Sequence, residues 1–249
     1  MIQVSSIQSY HELKHQVAAS SSSLGLVVHF AADWCTPCET VRTVLNQFDA
    51  EYNPNTNNTD DDHNNNNNRQ LTFAEVNCEV HDAICEAEAI TSVPFIAFFR
   101  PSVEETGDPN AKSSKKTLER IADVAGAKID SITRNIRSLY GPQRADFPSL
   151  DAYLRALINR PGVVAFITGT PSRPQCGFTS RLCALFEELD VDYLFHDIMA
   201  SGEVCEGLKH FSRWPTFPQV YVNSSLIGGY DVCKQLQEEG ELRSTLIPE

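Results

Sequence analysis

Apolar and polar positions change period several times along the first 140 residues. Leu24 to Phe30 is a short, β-branched and nearly all-apolar run, the pattern of a buried strand. Thr36 to Phe48 then spaces Val41, Val44, Leu45 and Phe48 along one face of a helix. Leu71 to Val76 reads as a strand, Ala83 to Ile90 as a short helix, Phe95 to Phe99 as a strand and Lys116 to Val124 as an edge strand. Lys128 to Tyr140 carries Ile129, Ile132, Ile136 and Leu139 on one helical stripe. The same order follows in the second part of the chain. Helix Leu150 to Asn159 precedes strand Val163 to Thr168, helix Thr179 to Leu189, strand Tyr193 to Asp197 and helix Gly202 to Phe211. Strands Gln219 to Val222 and Ser225 to Ile227 and a helix over Val232 to Leu246 complete it. Both parts read βαβαββα, an α/β pattern.

Two interruptions organise this pattern. Residues 53 to 68, NPNTNNTDDDHNNNNN, hold nine asparagines and no large apolar side chain, so nothing there offsets the entropy of ordering. Periodic structure resumes on both sides, which predicts a disordered insertion inside a domain. GPQRADFPS, residues 141 to 149, places Gly and two prolines between helical patterns and reads as a linker. The expected domains are therefore 1–140 and 150–249. Spacing supports a duplicated architecture: Cys35 precedes Pro94 by 59 residues, or 43 without the 16-residue insertion, and Cys176 precedes Pro218 by 42.

Composition narrows the function classes. The 249 residues are 41% hydrophobic and 21% charged, so real cores can form. Twenty basic against 33 acidic side chains give a net charge of −13, which argues against nucleic-acid and anionic-membrane partners. The start MIQVSSIQSYHELKH has no charged n-region followed by an apolar core, and no apolar run approaches the ~18 residues of a membrane span. The expected location is cytoplasmic, with the nucleus second. In a reducing compartment the eight cysteines are read first as chemistry, metal ligands or small buried hydrophobes.

Cys35 and Cys38 of WCTPC stand where a buried strand turns into a helix. The amides and positive dipole end of that helix favour a thiolate on Cys35, and Cys38, one turn on, can close a disulfide onto it. A redox pair competes with half of a zinc site and with two core cysteines; zinc needs two more ligands, and Cys78 and Cys85 lack that spacing. Those two are expected to be free thiols. With its following helix and Val93-Pro94, FAADWCTPC resembles thioredoxin. The resemblance implies that Pro94 is cis and abuts the disulfide, contacting substrate. The family usually has a buried acid six residues before its first cysteine; here His29 of LVVHF stands there, read as a satisfied core residue. LVVHF is similar to the thioredoxin-like domains fused to monothiol glutaredoxins.

Cys176 of CGFT has the same strand-to-helix position without a second cysteine. Gly177 permits close backbone approach and the opening amides support a thiolate. Such a thiol could form a mixed disulfide, pair with a distant cysteine such as Cys205 or Cys233, bind metal or simply be buried. PQCGFT, then WPTFPQVYVN at 214 to 223, then GGYDVCKQLQEEGEL at 228 to 242, together resemble the monothiol glutaredoxins over nearly all of residues 150–249. Two tandem thioredoxin-fold domains, each a central mixed sheet flanked by helices, are what the two resemblances imply.

The glutaredoxin resemblance also implies a 2Fe-2S cluster bridging two chains as a homodimer, with Cys176 and one glutathione thiolate from each side. Glutathione would be held by Phe178, Lys209, Phe217 before a cis Pro218, and Gly229, Tyr230 and Asp231. Binding and transfer of the cluster to iron-sulfur client or assembly proteins, within iron homeostasis, is the implied role. Weak thiol-disulfide oxidoreductase activity through Cys35 and Cys38, or redox-inactive docking of clients, is the alternative. Three departures stand out. Thr179 replaces the serine of CGFS and keeps its hydroxyl, Thr168 replaces the lysine of a KGTP motif, and Cys205 replaces an arginine. The last two remove positive charge, so weaker glutathione binding than the family's is expected.

Overall fold

The computed structural model describes residues 1–53, 69–104 and 115–247. Apart from Asn53, the Asn-rich stretch lies outside the described residues. The chain divides into two compact units, Met1–Ile132 and Thr133–Glu249, the division falling within helix α4 (Ile129–Leu139).

Before α4, the first unit runs β1 (Ile2–Gln3), α1 (Ile7–Ala19), β2 (Ser23–Ala31), α2 (Thr36–Tyr52), β3 (Gln70–Asn77), α3 (Asp82–Ala87), β4 (Phe95–Glu104) and β5 (Lys115–Ala125). Its sheet order is β1-β3-β2-β4-β5. The β1–β3 and β2–β3 pairs are parallel, and β2–β4 and β4–β5 are antiparallel. β2 lies at the centre, so Gly25 through Ala31 are all buried, which explains the near-continuous apolar run. Leu26, Val28 and Phe30 face the layer that holds Tyr10 and Val17 of α1 and Ile84 of α3. On the alternate face, Phe73 of β3 meets Tyr52 of α2 with ring centroids 6.4 Å apart. Asn53 closes α2 by donating from Nδ2 to Asp49 Oδ1 and to Leu71 O, both at 2.8 Å.

Neither β1 nor α1 was legible in the pattern. α1 buries only Tyr10, Val17 and Ala18, too sparse a stripe to stand out. Its start is fixed by a capping box in which Ser6 Oγ accepts from Ser9 N at 3.0 Å and Ser9 Oγ accepts from Ser6 N at 3.0 Å.

In the second unit, the last two turns of α4 pack beside strand β9 (Tyr193–Asp197): Ser138 Oγ accepts the Phe195 amide at 2.9 Å, and the Arg134 guanidinium lies 4.4 Å from the Tyr193 ring. α5 (Leu150–Ile158), β6 (Val163–Ile167), a small hairpin of β7 (Gly169–Thr170) and β8 (Arg173–Pro174), and α6 (Gly177–Glu188) come before β9. After it come α7 (Gly202–Ser212), β10 (Gln219–Val222), β11 (Ser225–Gly228), α8 (Tyr230–Glu238) and α9 (Leu242–Leu246). The main sheet order is β11-β10-β6-β9, with β6–β9 parallel and β10 antiparallel to both β6 and β11. Tyr153, Leu157, Phe166, Val204, Leu208 and Tyr221 form the core that α5 and α7 cover. Phe186 of α6 meets Tyr193 edge-on at 5.0 Å. Mixed sheets flanked by helices thus occur in both units.

Two expectations need correction here. The helix expected over Val232 to Leu246 is two helices, because Gly240 adopts φ +76° and the Glu241 amide turns back to Leu236 O at 2.8 Å, a glycine-closed helix end. The first unit does not open on the βαβαββα order, since β1 and α1 precede it.

Candidate functional site

Cys35 caps the start of α2 and is 4% exposed, while Cys38 is fully buried. The two form a disulfide with Cα atoms 5.3 Å apart. Pro37 sits in the first turn of α2, where its missing N–H costs no helical bond. Trp34, 70% exposed, stands immediately before the pair. Val93 packs on the cluster of Ala31, Ala32, Cys35 and Cys38, and the Val93–Pro94 peptide is cis, so the chain at Pro94 runs beside the disulfide.

The same unit holds a polar triad with a buried core of His29 and Glu75. His29 is 0% exposed, and its Nδ1 is 2.9 Å from Glu75 Oε2. Arg42 Nε donates to the same carboxylate at 2.9 and 3.2 Å. Burial alone would raise the Glu75 pKa, but the bonds and charges of His29 and Arg42 outweigh it and hold the carboxylate at about 2. The β2–β3 register pairs His29 with Glu75 directly, which is why a histidine is tolerated in an otherwise apolar strand.

Cys78 and Cys85, expected as free thiols, are joined by a second disulfide, Cα atoms 6.1 Å apart. The two are brought together by the tight Asn77–His81 turn, in which the Val80 and His81 amides donate to Asn77 O at 3.3 and 2.9 Å, between the end of β3 and α3. Sequence spacing of seven gave no sign of this, because the pairing depends on the turn.

In the second unit Cys176 is a free, partly exposed thiol that caps α6. Its Sγ accepts from the Thr179 amide at 3.4 Å and lies 3.4 Å from Thr179 Oγ1. Thr179 is fully buried, and its hydroxyl is 2.9 Å from that of Thr168 and accepts the Thr168 amide at 3.2 Å. Desolvation raises the Cys176 pKa, but donors on Thr168, Thr179 and the Phe178 amide outweigh it and bring the thiol to about 7.

Around this thiol, Phe178 is 47% exposed and its ring centroid is 6.1 Å from that of Tyr230. The Arg181 guanidinium lies 4.7 Å from Phe178 and 5.0 Å from Tyr230, bracketing both rings. The Phe217–Pro218 peptide is cis, and a Cβ placed on Gly229 would lie 3.2 Å from Pro218 O, so a glycine there keeps the two backbones close. Asp231 is exposed in the first turn of α8. The structure therefore brings Phe178 and Tyr230 together next to Cys176, and Gly229 against Pro218. Phe217 instead leans on the core that includes Leu208. Lys209 is engaged on its own helix, with Nζ donating to Glu206 Oε1 at 2.7 Å. That bond raises the Lys209 pKa.

The thioredoxin family model matches residues 5–124 and the glutaredoxin model residues 163–227. Over 244 residues the chain is 30% identical to Glutaredoxin 3 of Danio rerio, covering 96% of this chain and 65% of that one. It is 27% identical to Monothiol glutaredoxin-4 of Schizosaccharomyces pombe, with 89% and 90% covered, and 26% identical to Monothiol glutaredoxin-4 of Saccharomyces cerevisiae, with 94% of each covered. The chain carries a thioredoxin-family region followed by a glutaredoxin-family region. It spans 65% of the zebrafish relative and 46% of Monothiol glutaredoxin-S17 of Arabidopsis thaliana.

Three residues of the Cys176 site were missed by motif reading. Thr168 registers in sequence as a missing lysine, yet its hydroxyl takes part in supporting the thiol. Arg181 could have been found from its i+3 spacing to Phe178 on a helix. Glu206, three residues before Lys209, had the same signal. Among the described residues no group of three His, Cys, Asp or Glu side chains could hold a metal ion, and no helix is long and apolar enough to cross a membrane.

Proposed function

We propose that this chain is a multidomain glutaredoxin that binds a 2Fe-2S cluster with glutathione at Cys176 and passes it to iron-sulfur client or assembly proteins, serving iron homeostasis in the cytoplasm and nucleus. The observation that carries this reading is a free, partly exposed thiol at a helix start, brought to a pKa of about 7 by neutral donors. A cluster of this type takes four thiolates, so one Cys176 per chain matches two chains and two glutathiones. Phe178, Tyr230 and the Gly229–Asp231 turn form the surface against which glutathione would lie. Asp231 would accept from its amino group, and Lys209, once released by Glu206, would meet a carboxylate. Arg181 restores part of the positive charge that Thr168 and Cys205 fail to provide. The bound cluster supplies iron and sulfide for delivery; the chain supplies the thiolate and holds the tripeptide.

Anaerobic reconstitution with iron, sulfide and glutathione tests it. Brown, dimeric protein is expected, and Cys176→Ser should be colourless and monomeric. A colourless monomer with Cys176 intact would refute the reading.

A second reading is favoured by the Cys35–Cys38 disulfide beside exposed Trp34 and Pro94. Cys35 would attack a substrate disulfide and Cys38 would resolve the mixed disulfide. Insulin reduction that disappears in Cys35→Ser supports it. Client capture that is indifferent to Cys35→Ser supports docking without redox chemistry.

A further inference from the structure

We propose that Cys78 and Cys85 are a second redox-exchangeable pair, and that their oxidation state sets the shape of the groove beside Trp34. Both residues line an open groove of about 600 Å³ together with Ala32, Trp34, Ile90 and Val93. Cys78 is partly exposed at its wall, so a small reductant reaches the sulfur without unfolding of the unit.

The loop that carries Cys78 is tied directly to the loop that carries Trp34 and Cys35. The Cys78 amide donates to Ala31 O at 2.8 Å, and the Asp33 amide donates to Glu79 Oε2 at 2.9 Å. Asn77 Nδ2 donates to Asp33 Oδ1 at 3.1 Å, while its own Oδ1 accepts the Glu79 amide at 2.9 Å. Every residue from Asn77 to Glu79 therefore contributes to holding the backbone just before the Cys35–Cys38 pair.

The other end of the disulfide is in α3, a helix of six residues with no side-chain cap at its start. A helix that short has little stability of its own in water. Buried Ile84 and the link through Cys85 hold it against the sheet. Breaking the link leaves α3 held by the packing of Ile84 and the reduced Cys85 without a covalent tie, so α3 and the Asn77–Glu79 segment loosen together, and the groove wall moves with them.

The chemistry is two-electron exchange. A dithiol reductant attacks one sulfur, the Cys78–Cys85 bond breaks to a mixed disulfide, and the reductant's second thiol displaces it. The reductant leaves as a disulfide and both cysteines take up protons. In the reverse direction hydrogen peroxide converts one thiolate to a sulfenic acid, which the other thiol condenses with, so that two thiols and one peroxide give one disulfide and two waters. Exposed Glu79, Asp82 and Glu86 on the groove rim repel anions, so an uncharged dithiol should reduce the pair faster than glutathione does, and added salt should narrow the gap.

The test uses the full chain carrying Cys35→Ser and Cys38→Ser, equilibrated across dithiothreitol redox buffers, alkylated and read peptide by peptide by mass spectrometry. Cys78 and Cys85 should pass together from unlabelled to labelled, reversibly, and return on peroxide treatment. Hydrogen exchange over residues 31–35 and 77–90 should be at least about twofold faster in the reduced form. Cys78→Ser should show the reduced pattern permanently; should that variant not fold, the redox titration decides. The proposal is overturned if the two thiols label fully in every buffer, if the pair is reduced only after denaturation, or if it cycles with unchanged exchange over residues 31–35.

Discussion

Thr168→Val removes a hydroxyl from the Cys176 site while nearly preserving shape. Thiol-stabilising donors hold Cys176 at about 7 against an ordinary 9.0, with the Thr168 hydroxyl foremost among them. Two pKa units correspond to about 2.7 kcal/mol of preference for the thiolate. The sulfur is partly exposed, so water replaces part of any lost donor, and Thr168 is assigned about one unit, or roughly 1.4 kcal/mol. The sign is fixed by charge: donors stabilise the anion, so losing one raises the pKa, here to about 8. At pH 7 the thiolate fraction then falls from about one half to about one tenth. A more basic thiolate is intrinsically more nucleophilic by about 2.5-fold per unit, so alkylation by iodoacetamide should slow only about twofold at pH 7. Above about pH 7.7 the variant should overtake the parent protein. The assay is the pH profile of Cys176 alkylation, read at the peptide level, with Thr168→Ser as the control that retains the hydroxyl and the parental midpoint. A Thr168→Val midpoint that stays near 7, or curves that never cross, would refute the reasoning.

Other substitutions probe the remaining polar contacts. Glu75→Gln should destabilise the first unit at neutral pH by about 2–3 kcal/mol, since the carboxylate is depressed from 4.5 to about 2. A depressed carboxylate contributes fully above its unfolded pKa and loses that contribution as pH falls through its folded one. The parent should therefore lose stability between about pH 5 and 2, and Glu75→Gln should be flatter over that window in thermal melts. Glu206→Gln releases the Lys209 ammonium from its 2.7 Å partner and should tighten glutathione binding by calorimetry; unchanged affinity would remove Lys209 from the binding surface. Arg181→Ala strips the cation from the Phe178 and Tyr230 rings and should weaken glutathione binding about threefold, at the low end of cation–π contributions.

The elements that sequence revealed are those whose burial is one-sided or complete. β2 is flanked by strands and covered on both faces, so its apolar run was unmistakable, and α4 shows Ile132, Ile136 and Leu139 as a single buried stripe. α1 escaped because its anchorage is a serine–serine capping box and three small contacts, signals that do not stand out from a polar background. The α8–α9 break escaped because Gly240 acts through its backbone, and a glycine near a helix end resembles one inside a helix until φ is known. At the sites, motif spacing located Cys35, Cys38 and Cys176, since strand-to-helix turns are local. The Cys78–Cys85 bond, the His29–Glu75–Arg42 triad and the Arg181 bracket depend on distant or turn-built neighbours, and only three dimensions join them.

Neutral dipoles, not a lysine, support the Cys176 thiolate, and that choice fixes how the site behaves in crowded electrolyte. Mobile ions screen a fixed ammonium over a Debye length of roughly 8 Å at cellular ionic strength, so a lysine-backed thiol becomes less acidic as salt rises. The Thr179 hydroxyl and amide, each 3.4 Å from the sulfur, act well inside that length. The acidity of Cys176 should therefore vary less with ionic strength than that of a lysine-backed thiol.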